Sequence, residues 1–270
     1  MLNKALLSSL IVAVLLTAPT FCLETVSADL SAEAQGAKAE ALLAKLKSVQ
    51  SLIKDLQADT KTTITSNISL PGAASKGPQT MTQKGRMWQK GRDKSKVEIT
   101  EPMKQTTITN GDIMTIISPD TGRKFTQDLS KIKGQGPGAR GQGMDATKAL
   151  DYFDLTVTEH GTTEYIITGR PKEANQFLGR MDFIIDAEKY VPVRIAMYTP
   201  KGTLMSLSEI DYLPVEIYSA RSGGVASTEV AYVPQKIRSM VTMSMGSVNT
   251  EMEYENIKVN QGLKDEVFEE

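Results

Sequence analysis

The chain has 270 residues, and its 31 Lys+Arg against 32 Asp+Glu leave a net charge of −1. That balance argues against a whole-domain nucleic-acid binder, which carries a basic excess, and against an acidic disordered tail. The 40% apolar fraction suits a packed core but not a polytopic membrane protein, one Cys excludes a disulfide framework or Cys-rich zinc site, and one His excludes a multi-His metal site.

The N-terminus carries an export signal. Lys4 and the α-amine form a short positive region, and Ala5 to Leu16 run apolar, too short to span a bilayer and right for a secretory segment. Val26-Ser27-Ala28 offers the small residues a signal peptidase needs, so residues 1–28 read as a signal peptide and 29–270 as one mature domain. Lipidation at Cys22 is the weaker alternative, because Phe21 stands where a small residue belongs. The expected location is a bacterial periplasm, which suits a mature chain without cysteine.

Residues 31–57 read as a long helix, with Leu42, Leu46, Val49, Ile53 and Leu56 on one stripe. From about residue 58 the period changes from 3.6 to 2. Strands are expected at 61–68, 80–89, 94–100, 104–109, 113–118 and 124–129, with Asn110-Gly111 as a hairpin signal. Residues 131–143 are a Gly-rich loop. Their formal G-x-G-x-x-G, Gly136 to Gly141, lacks the βαβ setting of a dinucleotide site. Asp145 caps a short helix over 146–152, and loop and helix together would form a gate.

The second half again alternates, at 155–159, 164–169, 180–186, 191–198, 203–211, 235–245 and 249–259, with 213–232 as an insertion. The resulting class is mainly β (α+β): a curved antiparallel half-barrel of roughly ten or eleven strands. A long N-terminal helix and a short helix cover an apolar cavity on its concave face. The 13 Met against six Phe and one Trp suit a deformable pocket. The alternation puts Ile99, Met114, Ile116, Phe183, Ile195, Met197, Met243 and Tyr254 on apolar faces as the lipid-binding candidates. Lys96, Glu98, Arg194, Glu251 and Glu253 then face water.

No catalytic constellation stands out. His160 lies in a hairpin turn, no G-x-S-x-G elbow exists, and the pairs Asp182/Asp186 and Glu251/Glu253 sit at even spacing on polar strand faces. No metal or cofactor is expected. Asn67-Ile-Ser69 is a formal glycosylation sequon, meaningful only in a eukaryotic secretory route.

The order of elements resembles the LolA/LolB-like superfamily of periplasmic outer-membrane lipoprotein carriers. Gly85-Arg-Met-Trp-Gln-Lys90 resembles its second strand. Glu101-Pro102 with Thr109-Asn-Gly-Asp-Ile-Met-Thr-Ile-Ile-Ser-Pro119 resembles its central hairpin, and Tyr254 to Asn260 with Gly262-Leu263, Asp265 and Phe268 its closing strand and terminal turn. The resemblance implies a non-enzymatic, monomeric carrier of lipid or lipoprotein acyl chains, served by an inner-membrane donor and an outer-membrane acceptor. A related branch would be an envelope sensor that binds lipid and contacts a membrane regulator. In typical carriers an Arg-Pro pair follows the second strand and the Arg latches the lid. Here Lys90-Gly91-Arg92 stands at that place, and Arg92 is the residue that would take the role.

Overall fold

The computed structural model describes residues 32–68, 77–131, 152–220 and 226–269. Residues 1–28, expected to be a signal peptide, the gate helix expected over 146–152 apart from Tyr152, the tip of the 213–232 segment and all but the first residue of the 131–143 loop fall outside these.

Helix α1 (Ala32–Ser51) buries Ala39, Leu42, Leu43 and Leu46, spaced three, one and three residues apart on one stripe. They pack on Val157, Ile167 and Ile185; burying each Leu contributes about 1.5–3 kcal/mol. The helix ends at Ser51, earlier than the stripe predicts. Leu52 and Ile53 close i→i−3 turns on Val49 and Gln50, and Asn260 then takes over the backbone. Its side chain accepts from Lys54 N at 2.7 Å and donates to Leu52 O at 2.8 Å. Leu56 satisfies both periods, and the tertiary clasp decides for the strand.

Thirteen strands follow: β1 (Asp55–Ile68), β2 (Gln79–Lys90), β3 (Lys94–Glu101), β4 (Gln105–Asn110), β5 (Ile113–Ser118), β6 (Arg123–Asp128), β7 (Phe153–His160), β8 (Glu164–Pro171), β9 (Arg180–Asp186), β10 (Pro192–Tyr198), β11 (Leu204–Ala220), β12 (Ala226–Met243) and β13 (Gly246–Val259). They form one antiparallel sheet in the order β6-β5-β4-β3-β2-β1-β13-β12-β11-β10-β9-β8-β7. The sheet is open, with β6 and β7 at its edges, and is not closed into a barrel. The expected count of ten or eleven is therefore corrected to 13, one strand for each of the thirteen alternating segments of the sequence. Even short polar segments such as Arg123–Asp128 take their own place, because each has a neighbour offering a full ladder.

The 213–232 insertion is corrected too. It continues β11 and β12 past a register shift between Asp211 and Tyr212, as a ribbon paired from Tyr212↔Pro234 to Ala220↔Ala226. Val233 and Val215 at its base pack with Leu56, Ala58 and Met87 of β1 and β2. The edge strand β7 is guarded by the helix: Val157 N donates to Gln35 Oε1 at 3.0 Å, which occupies a donor that would otherwise invite another chain.

After β13 a 3-10 turn (Asp265–Phe268) buries Phe268. Asp265 bridges Lys90 at 2.6 Å and Lys94 at 2.8 Å. Hydrogen bonds from these two lysines hold its carboxyl down at about 2. A lowered carboxylate pKa stabilises the folded state above the unfolded value near 3.8, and that contribution is lost as pH falls toward 2. The terminal turn should therefore loosen between about pH 4 and pH 2. Trp88, two residues from Lys90, reports it by fluorescence, and Asp265→Asn should remove the transition. A transition unchanged in that variant assigns it elsewhere.

Candidate functional site

The strand registers decide which side chains share a face, since directly opposed residues point the same way. Met87 opposes Ala58 and Val97, Val97 opposes Thr107, and Thr107 opposes Ile116. Ile99 lies one alternation from Val97, and Met114 opposes Thr109. In the other direction Thr60 opposes Tyr254, Met252 opposes Ile237, Gly246 opposes Met243, and Ser208 and Ser206 oppose Ile195 and Met197. Seven of the eight candidates thus lie on one face, from β5 to β10. The eighth, Phe183, sits on β9, which is tied to β10 by the single pair Pro192↔Ile185, so register alone does not place it. It packs instead against the α1 cluster. Ile53, just past the end of the helix, packs against the cluster of Leu56, Ala58, Met87 and Val233, as Tyr254 does, and so links the helix end to the shared face.

The burial of these residues differs. Ile195 is 3% exposed, while Met243 at the β12 end is 42% exposed. Ile99, Met114, Ile116, Phe183, Met197 and Tyr254 are half-buried. Phe183 and Tyr254 pack against buried clusters, while Ile99, Met114, Ile116 and Met197 leave partly accessible apolar surface on this face. The Tyr254 phenol is pushed up to about 12 by burial, and burial raises Tyr212 further, while its hydroxyl donates to Pro192 O at 2.9 Å. Gly85 stands between Thr60 and Ile99, where a Cβ would collide with the Glu98 carbonyl. Gly85→Ala should therefore lower the melting temperature by several degrees, about 2 kcal/mol of strain in a chain this size; an unchanged melt contradicts the close approach.

Arg92 lies in the β2–β3 turn and donates to Gln50 Oε1 in the last turn of α1 at 3.2 Å. His160 ends β7, with Nδ1 3.4 Å from Glu164 across the turn.

The opposite face is ionic. Arg194, Glu209, Arg238 and Glu251 are cross-strand neighbours, and Asp211, Lys236, Glu253, Lys61, Lys84 and Glu101 form a second row. Lys61 and Lys236 bond Glu253 at 2.9 and 3.2 Å and lower its carboxyl pKa. Lys96 and Glu98 also lie here and pair at 3.0 Å. An open cleft of about 430 Å³ lies on this ionic face, lined by Thr63, Leu207, Glu209, Arg238, Met240 and Glu251. Arg238 already bonds Asp211 at 2.6 Å and approaches Glu209 and Glu251. An acyl chain placed there would strip water from paired ions, which is unfavourable.

Sequence reasoning missed two features of the apolar face. One is its polar inlay, Ser208, Thr250, Thr62, Gln83, Thr107 and Thr109, all buried. The other is the helix stripe through Ala39 and Leu43. The first left a signal: Leu204-Met-Ser-Leu-Ser-Glu-Ile carries serines at every second position of a core-facing strand.

No known protein-family model and no curated protein matches the sequence. Solved structures do. A DUF1329 family protein from Desulfovibrio piger is 15% identical with a TM-score of 0.59, covering 87% of this chain and 97% of its own. A domain assigned to outer membrane lipoprotein sorting, from Vibrio parahaemolyticus, is 14% identical with a TM-score of 0.57, covering 86% and 97%. A LolA superfamily protein from Nitrosomonas europaea is 16% identical with a TM-score of 0.53, covering 86% and 97%. The chain has a LolA-like fold. Among the described residues no helix is long and apolar enough to cross a membrane.

Proposed function

We propose that this chain is an exported lipid carrier, not an enzyme, that shelters acyl chains of lipoproteins or lipids against the apolar face of a curved sheet. The observation that carries the reading is the register: seven candidate residues share one face of an open sheet whose other face is ionic. Similarity to the Vibrio and Nitrosomonas structures adds the fold on which such a face is expected.

The geometry of α1 supports the curvature. Gln35, bonded to β7, and Gln50, bonded to the β2–β3 turn, lie about 22 Å apart at 1.5 Å per residue. β2 and β7 are eight strand steps apart in the sheet order, about 38 Å on a flat sheet. One helix serves both when the sheet curls toward it, and twisted sheets of this size do curl. Arg92 would then hold the helix as a lid latch through Gln50.

In this reading residues 1–28 direct export and are removed, the mature monomer works in the periplasm, and a membrane donor loads it and an outer-membrane acceptor unloads it. Native mass spectrometry of the mature chain from Asp29 tests the function. Lipid should co-purify and leave on mixing with empty vesicles. A protein that emerges without lipid, and takes none from donor vesicles, contradicts the carrier.

A further inference from the structure

A polar stripe crosses the apolar face. Ser208, Ser239 and Thr250 are direct cross-strand neighbours on β11, β12 and β13, and the stripe continues obliquely to Thr62 on β1 and Gln83 on β2. All but the half-buried Ser239 are buried. The residues flanking the stripe are taller and only half-buried: Ile210, Ile237 and Met252 on one side, Val241 and Val248 on the other. Short buried side chains between tall accessible ones make a trough with a polar floor and apolar walls. It crosses four strand spacings, about 19 Å.

The floor has donors to give. The Ser208 and Ser239 hydroxyls bond each other, and a pair sharing one bond keeps one proton to donate outward. The Thr250 hydroxyl and the Gln83 amide have no side-chain partner among the described residues. A bare hydrocarbon laid on this floor would strip water from these donors and return nothing. A lipid whose linker carries carbonyl oxygens returns the bonds.

We infer that the trough takes an ester-linked glycerolipid, whose ester carbonyls accept hydrogen bonds from Ser239, Thr250 and Gln83 while its acyl chains run over the walls. This rests on the proposed carrier role and names the lipid chemistry that role involves. Phospholipids and diacylglyceryl lipoproteins carry the same linker.

The test is competition against a bound fluorescent fatty acid. Dioctanoyl phosphatidylglycerol is compared with its dioctyl diether, which keeps chains and headgroup but has no carbonyls. A dioctanoylglyceryl-cysteine peptide and its diether form the second arm. The diester should bind about tenfold tighter than the diether in each arm, as one or two neutral hydrogen bonds give, and the tighter arm identifies the source. Thr250→Val and Ser239→Ala should each bring that ratio toward one without lowering diether affinity, with thermal melts reporting folding. A wild-type ratio near one, or a ratio that neither variant changes, overturns the inference and leaves the carrier standing. Failure of all four ligands to bind overturns both.

Discussion

Met197→Asp and Ile116→Glu are expected to leave a folded protein that no longer holds lipid. Both residues are half-buried on the apolar face. The introduced carboxylate in the free protein keeps contact with water, so stability should fall by less than about 1.5 kcal/mol. Lipid binding is different. An acyl chain gains about 0.8 kcal/mol per buried CH₂, so eight buried methylenes give about 6 kcal/mol. A carboxylate under that chain must lose its water or its charge, which should weaken binding at least about a hundredfold. Ile195→Asp is the contrast. Ile195 has 3% exposure on the same face, and an unpaired carboxylate there should unfold the protein outright. Circular dichroism melts and fluorescent fatty-acid binding separate the cases. If Met197→Asp and Ile116→Glu also unfold, these residues are packed core; if they fold and bind undiminished, the lipid lies elsewhere.

Asp55→Ala should be the most damaging polar substitution in the molecule. Asp55 is 6% exposed at the start of β1. Its carboxylate accepts from Gln261 N at 2.8 Å, Gly262 N at 2.9 Å and Leu263 N at 3.2 Å. The Asp55 backbone carbonyl also receives Asn260 N at 2.9 Å. These bonds tie the helix-to-strand junction to the C-terminal segment, more than 200 residues away in sequence. Alanine strands three backbone donors, a loss of about 3 kcal/mol, or about 6–12 °C in melting temperature for a domain this size. Asp55→Asn keeps one acceptor without the charge and should fall between. A melt unaltered in Asp55→Ala would show that the clasp contributes nothing to folding.

Much of this architecture is legible in the sequence, for identifiable reasons. The bounds of β5 and β9 are legible to the residue: Asn110-Gly111 punctuates the first, and in the second Met181, Phe183 and Ile185 alternate with Asp182 and Asp186, although Ile184 breaks the pattern. The face shared by Met114, Ile116, Met197 and Tyr254 was readable because period two carries one bit per residue, and that bit survives any error in strand ends. What stayed hidden depends on distant partners. The helix stops at Ser51 because Asn260 reaches back to Leu52 and Lys54, and no local signal at 52–57 records that. The 213–232 segment, broken by Pro214, looks like an insertion, yet ladder bonds to Ala226–Pro234 make it strand. Short serines and threonines between taller apolar neighbours look like surface in a sequence. Their burial as the floor of the trough appears only when β11, β12 and β13 are set side by side.

Photolabelling tests the central claim most directly, because this sheet carries methionines on both faces. A diazirine-bearing fatty acid is bound to the mature protein, irradiated, and the adducts are mapped by peptide mass spectrometry. Met114, Met197, Met252 and Tyr254 share the apolar face, whereas Met240 opposes Leu207 and Asn249 on the ionic one. The account predicts adducts at the first set and none at Met240, Thr63 or Leu207. Adducts concentrated at Met240 and its cleft, or spread without regard to strand alternation, would contradict it.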